Sequence, residues 1–499
     1  MPNDPVVIIG AGIGGLVAAV ETAARGEPVV LLERAGAPGG KMREVAIGDA
    51  RIDAGPTVFT MRWVFEEIFA NAGTSLDAEV KLQPADIIAR HAWVEGGRLD
   101  LFADLQRSAD AIAALSGPDE GRRFLSFSAD ARRIYRTLKE PFINSSRTNP
   151  MGLTMRVGPG GIGDMFAIKP FSTLWKALSE HFRDPRLRQL FGRYATYAGS
   201  SPYLAPATLM LIAHVEQDGV WIVDDGMHQL AVALARTAER LGATIRYGCE
   251  VVDVLGRGRA TGVRLRGGEE MRARAVISNT DISAFGAGRL GLDVQRATQP
   301  TARRDRSLSA VTFNLVAETS GFPLLHHSVF FSSDYPAEFD DIFKRRRLPR
   351  EPTVYICAQD RGAGSEPSID GPERLLLLVN APADGDIHPF DQTEIDQCAA
   401  RTYSLLERCG LQIKHRPEAS VITTPAGFER LFPATGGALY GRASHGWRAS
   451  FSRPGSRSRV PGLYLAGGST HPGAGVPMAA ISGRLAAASL AEDLRSMRP

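Results

Sequence analysis

A short pattern near the start of the chain restricts the fold more than any other feature of the sequence. The run Val6–Ile9 is apolar and β-branched throughout, as in a strand buried on both faces of a parallel sheet. A glycine-rich turn at 10–15 and an apolar, helix-capable segment at 16–20 follow, and a second apolar run, Val29–Leu32, closes the unit. Strand, turn, helix and strand in this order predict one βαβ unit of a doubly wound α/β fold.

The glycines of this turn predict a dinucleotide site. Gly10, Gly12 and Gly15 form G-x-G-x-x-G, and Gly14 belongs to the same turn. The first glycine allows a tight turn, the second lets the backbone approach a pyrophosphate, and the third lets helix and strand pack closely. The helix N-terminus adds free N–H groups and a partial positive charge. Glu33 lies 18 residues after Gly15, at the end of the next strand, where a carboxylate can accept hydrogen bonds from a ribose hydroxyl.

A second match to the motif, at 158–163, lacks these surroundings. The preceding residues, 154–157, make a poor buried strand, and Pro170 interrupts the segment before a full helix can form. We interpret 158–163 as a flexible loop within a stretch rich in Gly, Pro, Asn and Ser over 141–170. The sequence therefore predicts one dinucleotide site and no permanently bound nicotinamide.

The residues after the first βαβ unit bear on which dinucleotide binds. Arg34 follows the acid directly, and Gly39, Gly40 and Lys41 come next as a glycine pair and a basic residue. This arrangement resembles the FAD-binding fingerprint of the glutathione-reductase-like flavoproteins, in the amine oxidase and desaturase branch. The resemblance implies FAD, with Arg34, Gly39, Gly40 and Lys41 at the cofactor. NAD alone in this site is the alternative.

Two later segments are similar to other parts of the same fingerprint. Val251 matches the family position whose backbone meets the adenine, and 463–468 matches the second flavin segment. Many relatives carry an aspartate after the first glycine there, whereas this chain has Gly468 and Ser469, which removes one ribityl contact. The resemblance implies cofactor contacts near the C-terminus at Gly467, Gly468, Pro477 and Met478.

The run 467–478, together with D-A-G-P-T-V at 53–58, resembles the bacterial carotenoid desaturases of the phytoene desaturase type. Within that family, 88–91, 98–104 and 476–480 look most like the 1-hydroxycarotenoid 3,4-desaturases of photosynthetic bacteria. The resemblance implies an FAD-dependent enzyme that introduces a C3–C4 double bond into 1-hydroxy or 1-methoxy acyclic carotenoids such as 1-hydroxyneurosporene, in the biosynthesis of spheroidene- or spirilloxanthin-type pigments. A phytoene desaturase, a flavin-dependent carotenoid isomerase and a non-catalytic, pigment-carrying flavoprotein are the alternatives.

Such a reaction needs a two-electron acceptor, and a flavin accepts hydride. Proton loss from the resulting delocalised cation needs only a weak base, so we expect no catalytic triad. His471 is the candidate to accept the proton or bond the flavin, with the ordering of a turn as an equal alternative. Glu216 and Arg90 are candidates for binding the substrate hydroxyl, with packing as the alternative. We expect no metal site, because the pair at 326–327 is isolated in sequence. The final electron acceptor would be external, such as oxygen or a quinone.

The two ends of the chain must meet one cofactor, which predicts a discontinuous domain. We expect an α/β fold in which a Rossmann-like FAD-binding domain comprises 1–105, 225–290 and 455–499. An inserted α+β substrate domain would comprise 106–224 and 291–454. Residue patterning predicts further helices over 106–140, 171–218, 227–241, 393–409 and 478–495, and strands over 243–247, 250–255, 275–278, 375–379 and 462–466.

Composition limits the partners of the chain. Lys and Arg number 58 against 55 Asp and Glu, a formal charge of +3 that is too balanced for a nucleic-acid binder. The four cysteines are far apart, which predicts neither a zinc cage nor a disulfide framework and fits a reducing cytosol.

No stretch approaches the roughly 20 apolar residues of a spanning helix, so any membrane contact is expected to be peripheral. Aromatics and lysines alternate over 165–176, which suits lipid headgroups, with an amphipathic helix over the core as the alternative. The basic run 344–347 suits anionic lipid or a solvated loop. We expect a cytoplasmic protein on the surface of the inner or photosynthetic membrane.

Overall fold

A computed structural model describes residues 4–146, 171–363, 369, 371–414 and 416–496. Two segments discussed above fall outside these residues. They are the second glycine motif at 158–163 and the first half of the aromatic and lysine-rich segment, 165–170.

A five-stranded parallel sheet forms the first layer of the structure. Its strands are, in spatial order, Leu463–Leu465, Ala275–Ser278, Val6–Ile9, Val29–Leu32 and Thr244–Arg246. Val6–Ile9 lies at the centre and is fully buried, which explains its continuous apolar run. All five strands were expected from the sequence, and their existence is confirmed.

Three helices share one hydrophobic core with this sheet: Ile13–Ala23, His228–Arg240 and Val476–Ser496. Every residue of Ile13–Ala23 is buried. The helix Val476–Ser496 approaches it so closely that a Cβ on Gly483 would lie 2.3 Å from the carbonyl oxygen of Gly14. A three-stranded antiparallel sheet packs on the opposite side, with strands Val251–Leu255, Gly262–Leu265 and Glu270–Arg272.

An eight-stranded mixed sheet forms the second part of the structure. Its main path runs in the order Gln412–Lys414, Ser309–Ser320, Glu373–Ala381, Val354–Ala358, His327–Phe331, Ile87–Trp93 and Arg98–Phe102, and Ser420–Thr423 also pairs with Ser309–Ser320. The helix Gln392–Arg408 packs on one face, and its N-terminus has a capping box between Asp391 and Glu394.

This strand pairing differs from the domain boundary drawn at residue 105. Ile87–Trp93 and Arg98–Phe102 lie before that boundary but pair in the eight-stranded sheet, because Ile87–Trp93 runs parallel to His327–Phe331. The partner strand lies more than two hundred residues away, so local patterning has no information about it.

A layer of helices covers the other face of the eight-stranded sheet. It contains Leu105–Ser116, Pro118–Leu138, Leu174–His181, Pro185–Gly192 and Leu211–Gln217, which confirms the helical patterning expected over 106–140 and 171–218. Buried aromatic rings hold this layer together, among them Phe127, Phe182 and Phe191. The stretch expected to be a loop from 141 begins as a π-helical turn, Lys139–Ile143.

Smaller elements connect these layers. Two short antiparallel pairs are Glu44–Ile47 with Ala50–Asp53, and Leu82–Pro84 with Trp221–Val223. Within the described ranges, the remaining α-helices are Arg62–Asn71, Leu76–Glu79, Ser283–Gly286, Tyr335–Phe339 and Pro425–Leu431. Among the described residues, no helix combines the length and the apolar character that crossing a bilayer requires.

The basic run 344–347 is paired with acids of this protein. Each of its four side chains forms an ion pair, and the pairs are Lys344 with Asp340, Arg345 and Arg347 with Asp341, and Arg346 with Asp384. These contacts occupy the charges that the sequence suggested for anionic lipid.

Candidate active site

The glycine-rich turn contacts the glycine pair at 39–40. The amide of Gly39 donates to the carbonyl of Ala11 at 2.8 Å, and a Cβ on Gly40 would lie 3.1 Å from the Cα of Gly12. Gly10, Gly39 and Gly40 all have positive φ, which favours glycine there. The tertiary structure therefore joins the first two parts of the fingerprint into one backbone surface.

Asn279 closes this surface from the neighbouring strand, although no sequence motif pointed to it. Its side-chain amide donates to the carbonyl of Gly10 at 3.4 Å. A Cβ on Gly14 would lie 2.6 Å from its Oδ1. The signal was present, because Asn279 follows the strand Ala275–Ser278, which is parallel to Val6–Ile9. The carboxyl ends of parallel neighbours meet at one edge of the sheet, where ligands bind.

Glu33 stands at the same edge and is buried. One carboxylate oxygen accepts from the amide of Ala11 at 2.6 Å, and the other accepts from the amide of Ala35 at 2.7 Å. Each oxygen keeps a second lone pair for a hydroxyl donor. The carbonyl of Glu33 accepts from the amide of Cys249 at 2.8 Å, which brings the strand beginning at Val251 beside it.

Arg34, by contrast, is exposed on the surface. Its guanidinium donates to the backbone carbonyls of Arg430 and Leu431 at the end of the helix Pro425–Leu431. The structure therefore places this side chain against the C-terminal end of that helix.

The C-terminal segment reaches the glycine-rich turn. A Cβ on Gly467 would lie 2.7 Å from Asn279 Oδ1, and the amide of Gly467 donates to the hydroxyl of Ser482 at 2.7 Å. Pro477 and Met478 lie in the first turn of the helix Val476–Ser496. Residues from both ends of the chain thus line one site, as a single cofactor requires.

Two cations lie beside this segment, the partly buried Lys41 and the buried Arg453. Lys41 Nζ donates to the carbonyl of Leu439 at 2.6 Å, and burial lowers the pKa of Lys41, opposed by the charge of Asp281. Arg453 donates to the carbonyl of Gly468 at 2.7 Å, and burial lowers its pKa to about 10. A glycine-lined cradle, a helix N-terminus without a side-chain cap and these two cations suit a pyrophosphate.

Between the eight-stranded sheet and the helical layer lies a second space, which we call the inner chamber. Its free volume is about 10 Å³, room for about one water molecule. Its apolar side consists of Val58, Ile88, Ala89, Leu190 and Val329. Its polar side includes Arg193, Tyr194, Tyr197, Glu216, His327 and Tyr355.

Comparison with known proteins identifies the family of the chain. Residues 13–491 match the flavin-containing amine oxidoreductases. The chain belongs to this family. A hydroxyneurosporene desaturase of Rubrivivax gelatinosus is 57% identical over 98% of this chain and 94% of the relative. Another hydroxyneurosporene desaturase, from Cereibacter sphaeroides, is 44% identical over 98% of each chain. The resemblance to the carotenoid desaturases is confirmed.

A solved structure shows the same fold. An oxidoreductase from Methanosarcina mazei superimposes with a TM-score of 0.60 over 98% of this chain and all of that chain, at 16% identity. The flavin-containing family and the glycine cradle agree on the cofactor, which is FAD. The protein is an FAD-dependent oxidoreductase that acts on carbon–carbon bonds, and the expected Rossmann-like fold is confirmed.

Glu216 is the one candidate substrate residue that lines the inner chamber of this flavoprotein. Its two carboxylate oxygens accept hydrogen bonds from the hydroxyls of Tyr194 and Tyr197, each at 2.6 Å. Burial raises the pKa of Glu216, while these hydrogen bonds and the charge of Arg193 oppose the rise. The tyrosines and Arg193 were not identified from the sequence, because their side chains meet only through the packing of a 3₁₀ turn, Arg193–Ala198, against Leu211–Gln217.

The side chain of Arg90, the other candidate substrate residue, does not line the inner chamber. Its guanidinium forms a two-pronged ion pair with Asp100, both distances being 2.7 Å, and also donates to the carbonyl of Pro323 at 2.6 Å. Asp100 lies opposite Arg90 on the adjacent strand. The Arg90 side chain is therefore engaged in a cross-strand ion pair.

His471 is buried beside the flavin segment. Its Nε2 lies 2.8 Å from the carbonyl of Phe142, and the two rings meet edge to face with centroids 4.8 Å apart. A carbonyl only accepts, so Nε2 carries the proton in this contact. The contact connects the turn Lys139–Ile143 to the C-terminal segment.

The histidine pair at 326–327 has a partner that its sequence spacing does not reveal. Cys357 lies opposite His327 in the antiparallel pairing, and its Sγ is 3.5 Å from Nε2 of His326. His326 Nδ1 contacts the carbonyl of Arg361 at 2.8 Å, so Nε2 is left to accept the thiol proton. Burial raises the pKa of the Cys357 thiol, which keeps it protonated. The arrangement is a thiol–imidazole hydrogen bond.

Proposed function

We propose that this protein introduces a C3–C4 double bond into 1-hydroxy or 1-methoxy acyclic carotenoids such as 1-hydroxyneurosporene. The observation that supports this most strongly is the near full-length identity to hydroxyneurosporene desaturases. The split between apolar and polar walls in the inner chamber agrees with a hydrocarbon substrate that has one oxygenated end.

When bound, FAD supplies a two-electron acceptor for the hydrogens removed from the substrate. The residues that would hold the cofactor are Glu33, the glycines of the cradle and the partly buried Lys41. Arg453 fixes the carbonyl of Gly468 and thereby the shape of the flavin segment. We further propose that His471 bonds the flavin or accepts the substrate proton.

Tyr440 is near both the inner chamber and that segment. Burial raises the pKa of Tyr440, and the nearby charge of Arg193 opposes the rise. The carbonyl of Tyr440 accepts from Arg453 at 2.9 Å. A polyene whose end lies in the inner chamber would therefore extend towards the flavin, and orientation of the chain against the cofactor is the main contribution of the protein.

We also propose a peripheral position at the membrane, with an external acceptor such as oxygen or a quinone. A carotenoid dissolves in lipid, so the enzyme must collect it there. The exposed aromatic pair of Phe171 and Trp447, with ring centroids 5.5 Å apart, supports a surface that enters the headgroup region.

Anaerobic incubation of the FAD-loaded protein with 1-hydroxyneurosporene tests the reaction. Desaturation predicts a red-shifted product that has lost two hydrogens and a stoichiometric bleaching of the flavin. An isomerase would shift the spectrum without loss of hydrogens. A carrier would change neither the spectrum nor the hydrogen content of the carotenoid. Turnover of phytoene in place of 1-hydroxyneurosporene would favour the phytoene desaturase alternative.

A further inference from the structure

We propose that Arg193 and His327 bind the oxygen atom at the end of the carotenoid and so select oxygenated over purely hydrocarbon substrates. This inference rests on the proposed function and adds the recognition residues to it. Neither residue was singled out as a substrate contact by the sequence.

The inner chamber has room for the oxygen atom alone, and its lining suits this role. A free volume of about 10 Å³ accommodates one oxygen atom, as it would one water molecule. Val58, Ile88 and Leu190 form the apolar wall, which suits the methyl groups beside a tertiary alcohol. The bulk of the end group would enter by displacing side chains of this wall.

Within the part of the chain that the structure describes, the Arg193 guanidinium makes one hydrogen bond, which leaves donors for a ligand. Its guanidinium donates to the hydroxyl of Tyr197 at 3.3 Å and lies over the rings of Tyr197 and Tyr355, 5.3 Å from each centroid. Among the described residues, Arg193 has no ion pair with a carboxylate. Both oxygens of Glu216, the nearest acid of the chamber lining, accept from tyrosines. A guanidinium has five N–H donors, and an alcohol or ether oxygen can accept from those that remain.

The charge of this guanidinium persists although the side chain is partly buried. Desolvation favours the neutral form, but the neighbouring Tyr197 and Glu216 outweigh it and raise the pKa of Arg193. A charged donor forms a stronger hydrogen bond than a neutral one, particularly where water is excluded.

His327 presents the second contact. Its Nδ1 lies 2.8 Å from the hydroxyl of Tyr355, which in turn lies 2.6 Å from the hydroxyl of Thr57. Its Nε2 is buried and has no hydrogen-bond partner among the described residues. Burial lowers the pKa of His327 well below its usual value, so the ring is neutral. A hydroxyl both donates and accepts, so it satisfies Nε2 in either tautomer, whereas a methoxy oxygen requires Nε2 to be protonated.

The test compares 1-hydroxyneurosporene with neurosporene, which lacks the hydroxyl. We would measure kcat/KM for both with the FAD-loaded wild type, Arg193→Gln, Arg193→Lys and His327→Phe. Val58→Ala is the matched control, because it changes the apolar wall of the same chamber and should affect both substrates alike. We expect the preference for the hydroxylated substrate to fall by about ten- to a hundred-fold in Arg193→Gln. Arg193→Lys, which keeps the charge, should recover part of it.

The outcomes separate recognition from the reaction itself. A wild type that desaturates both carotenoids equally would overturn the recognition proposal and leave the desaturase function standing, with the chamber holding only a structural water. A wild type that desaturates neither would overturn both proposals. If Arg193→Gln does not retain FAD, the comparison passes to Arg193→Lys and His327→Phe, and an unchanged preference in both would overturn the assignment.

Discussion

A methyl group on Gly12 would come within 2.6 Å of the side-chain amide nitrogen of Asn279. The second glycine of the motif is therefore required by a contact within the protein as well as by the approach of a pyrophosphate. Asn279 and Gly12 belong to neighbouring parallel strands and their following turns. Their contact narrows the cradle on one side, so any side chain at 12 must intrude on either Asn279 or the cofactor.

Gly12→Ala should weaken FAD binding. The Asn279 amide can rotate away from the new methyl group, so the fold should survive, while the cradle loses room for the pyrophosphate. We expect the Kd for FAD to rise by about tenfold or more, which corresponds to ~1.4 kcal/mol. Gly36→Ala is the matched control, because nothing lies within 4 Å of a Cβ there and its φ is not positive. Flavin retention measured by absorbance after gel filtration gives the answer, and equal retention in both variants would contradict the site.

Asp53 should make the protein less stable as the pH rises. Burial raises its pKa from 3.8 to about 6, although its carboxylate accepts from the amides of Met227 and His228. The folded state then binds a proton more tightly than the unfolded state, and this contribution is full below about pH 4 and is lost as pH rises through 6. Relative to Asp53→Asn, the wild type should lose up to ~3 kcal/mol between pH 4 and 7. Urea unfolding with saturating FAD measures the difference, and a rise in relative stability over that range would refute the prediction.

Glu216 and Tyr197 should be energetically coupled. Glu216→Gln leaves one acceptor oxygen where the carboxylate has two, so one of the two tyrosine hydroxyls loses its partner. We expect Glu216→Gln to lower the free energy of unfolding by about 1–3 kcal/mol. A double-mutant cycle with Tyr197→Phe isolates the interaction, and the two changes should not be additive. Strict additivity would mean that the contact contributes nothing measurable.

Liposome flotation should detect the exposed aromatic pair. Phe171 is 72% and Trp447 38% exposed, and we expect the double variant Phe171→Ala/Trp447→Ala to float less with vesicles of phosphatidylcholine and phosphatidylglycerol. Leu292→Ala, at a site 79% exposed and remote in sequence, is the control and should float like the wild type. Lys344→Gln should also change little, because Lys344 is paired with Asp340. Full recovery of the wild type in the lipid-free fraction at low salt would count against membrane association.

Local patterning located most elements of the dinucleotide-binding layer. The sequence predicts three of its strands, Val6–Ile9, Val29–Leu32 and Ala275–Ser278, because strands buried on both faces are continuously apolar. The pairing of Ile87–Trp93 with His327–Phe331 could not be predicted, because strand partners in a mixed sheet depend on contacts between residues far apart in sequence. The domain limits drawn at residue 105 therefore differ from the sheet to which these strands belong.

The cofactor cradle, like the strands of the first layer, could be predicted from the sequence, whereas the inner chamber could not. The chemistry of the cradle depends on glycines at fixed spacing in one βαβ unit, so the sequence by itself determined the fold class, the flavin and the family. Only the tertiary structure showed where Asn279 and Arg193 lie and that Arg90 is paired with Asp100. The spacing of glycines along the chain determines where the backbone can turn and approach a ligand. The pairing of buried charges, and the hydrogen-bonding groups left without a partner, depend instead on packing between segments hundreds of residues apart.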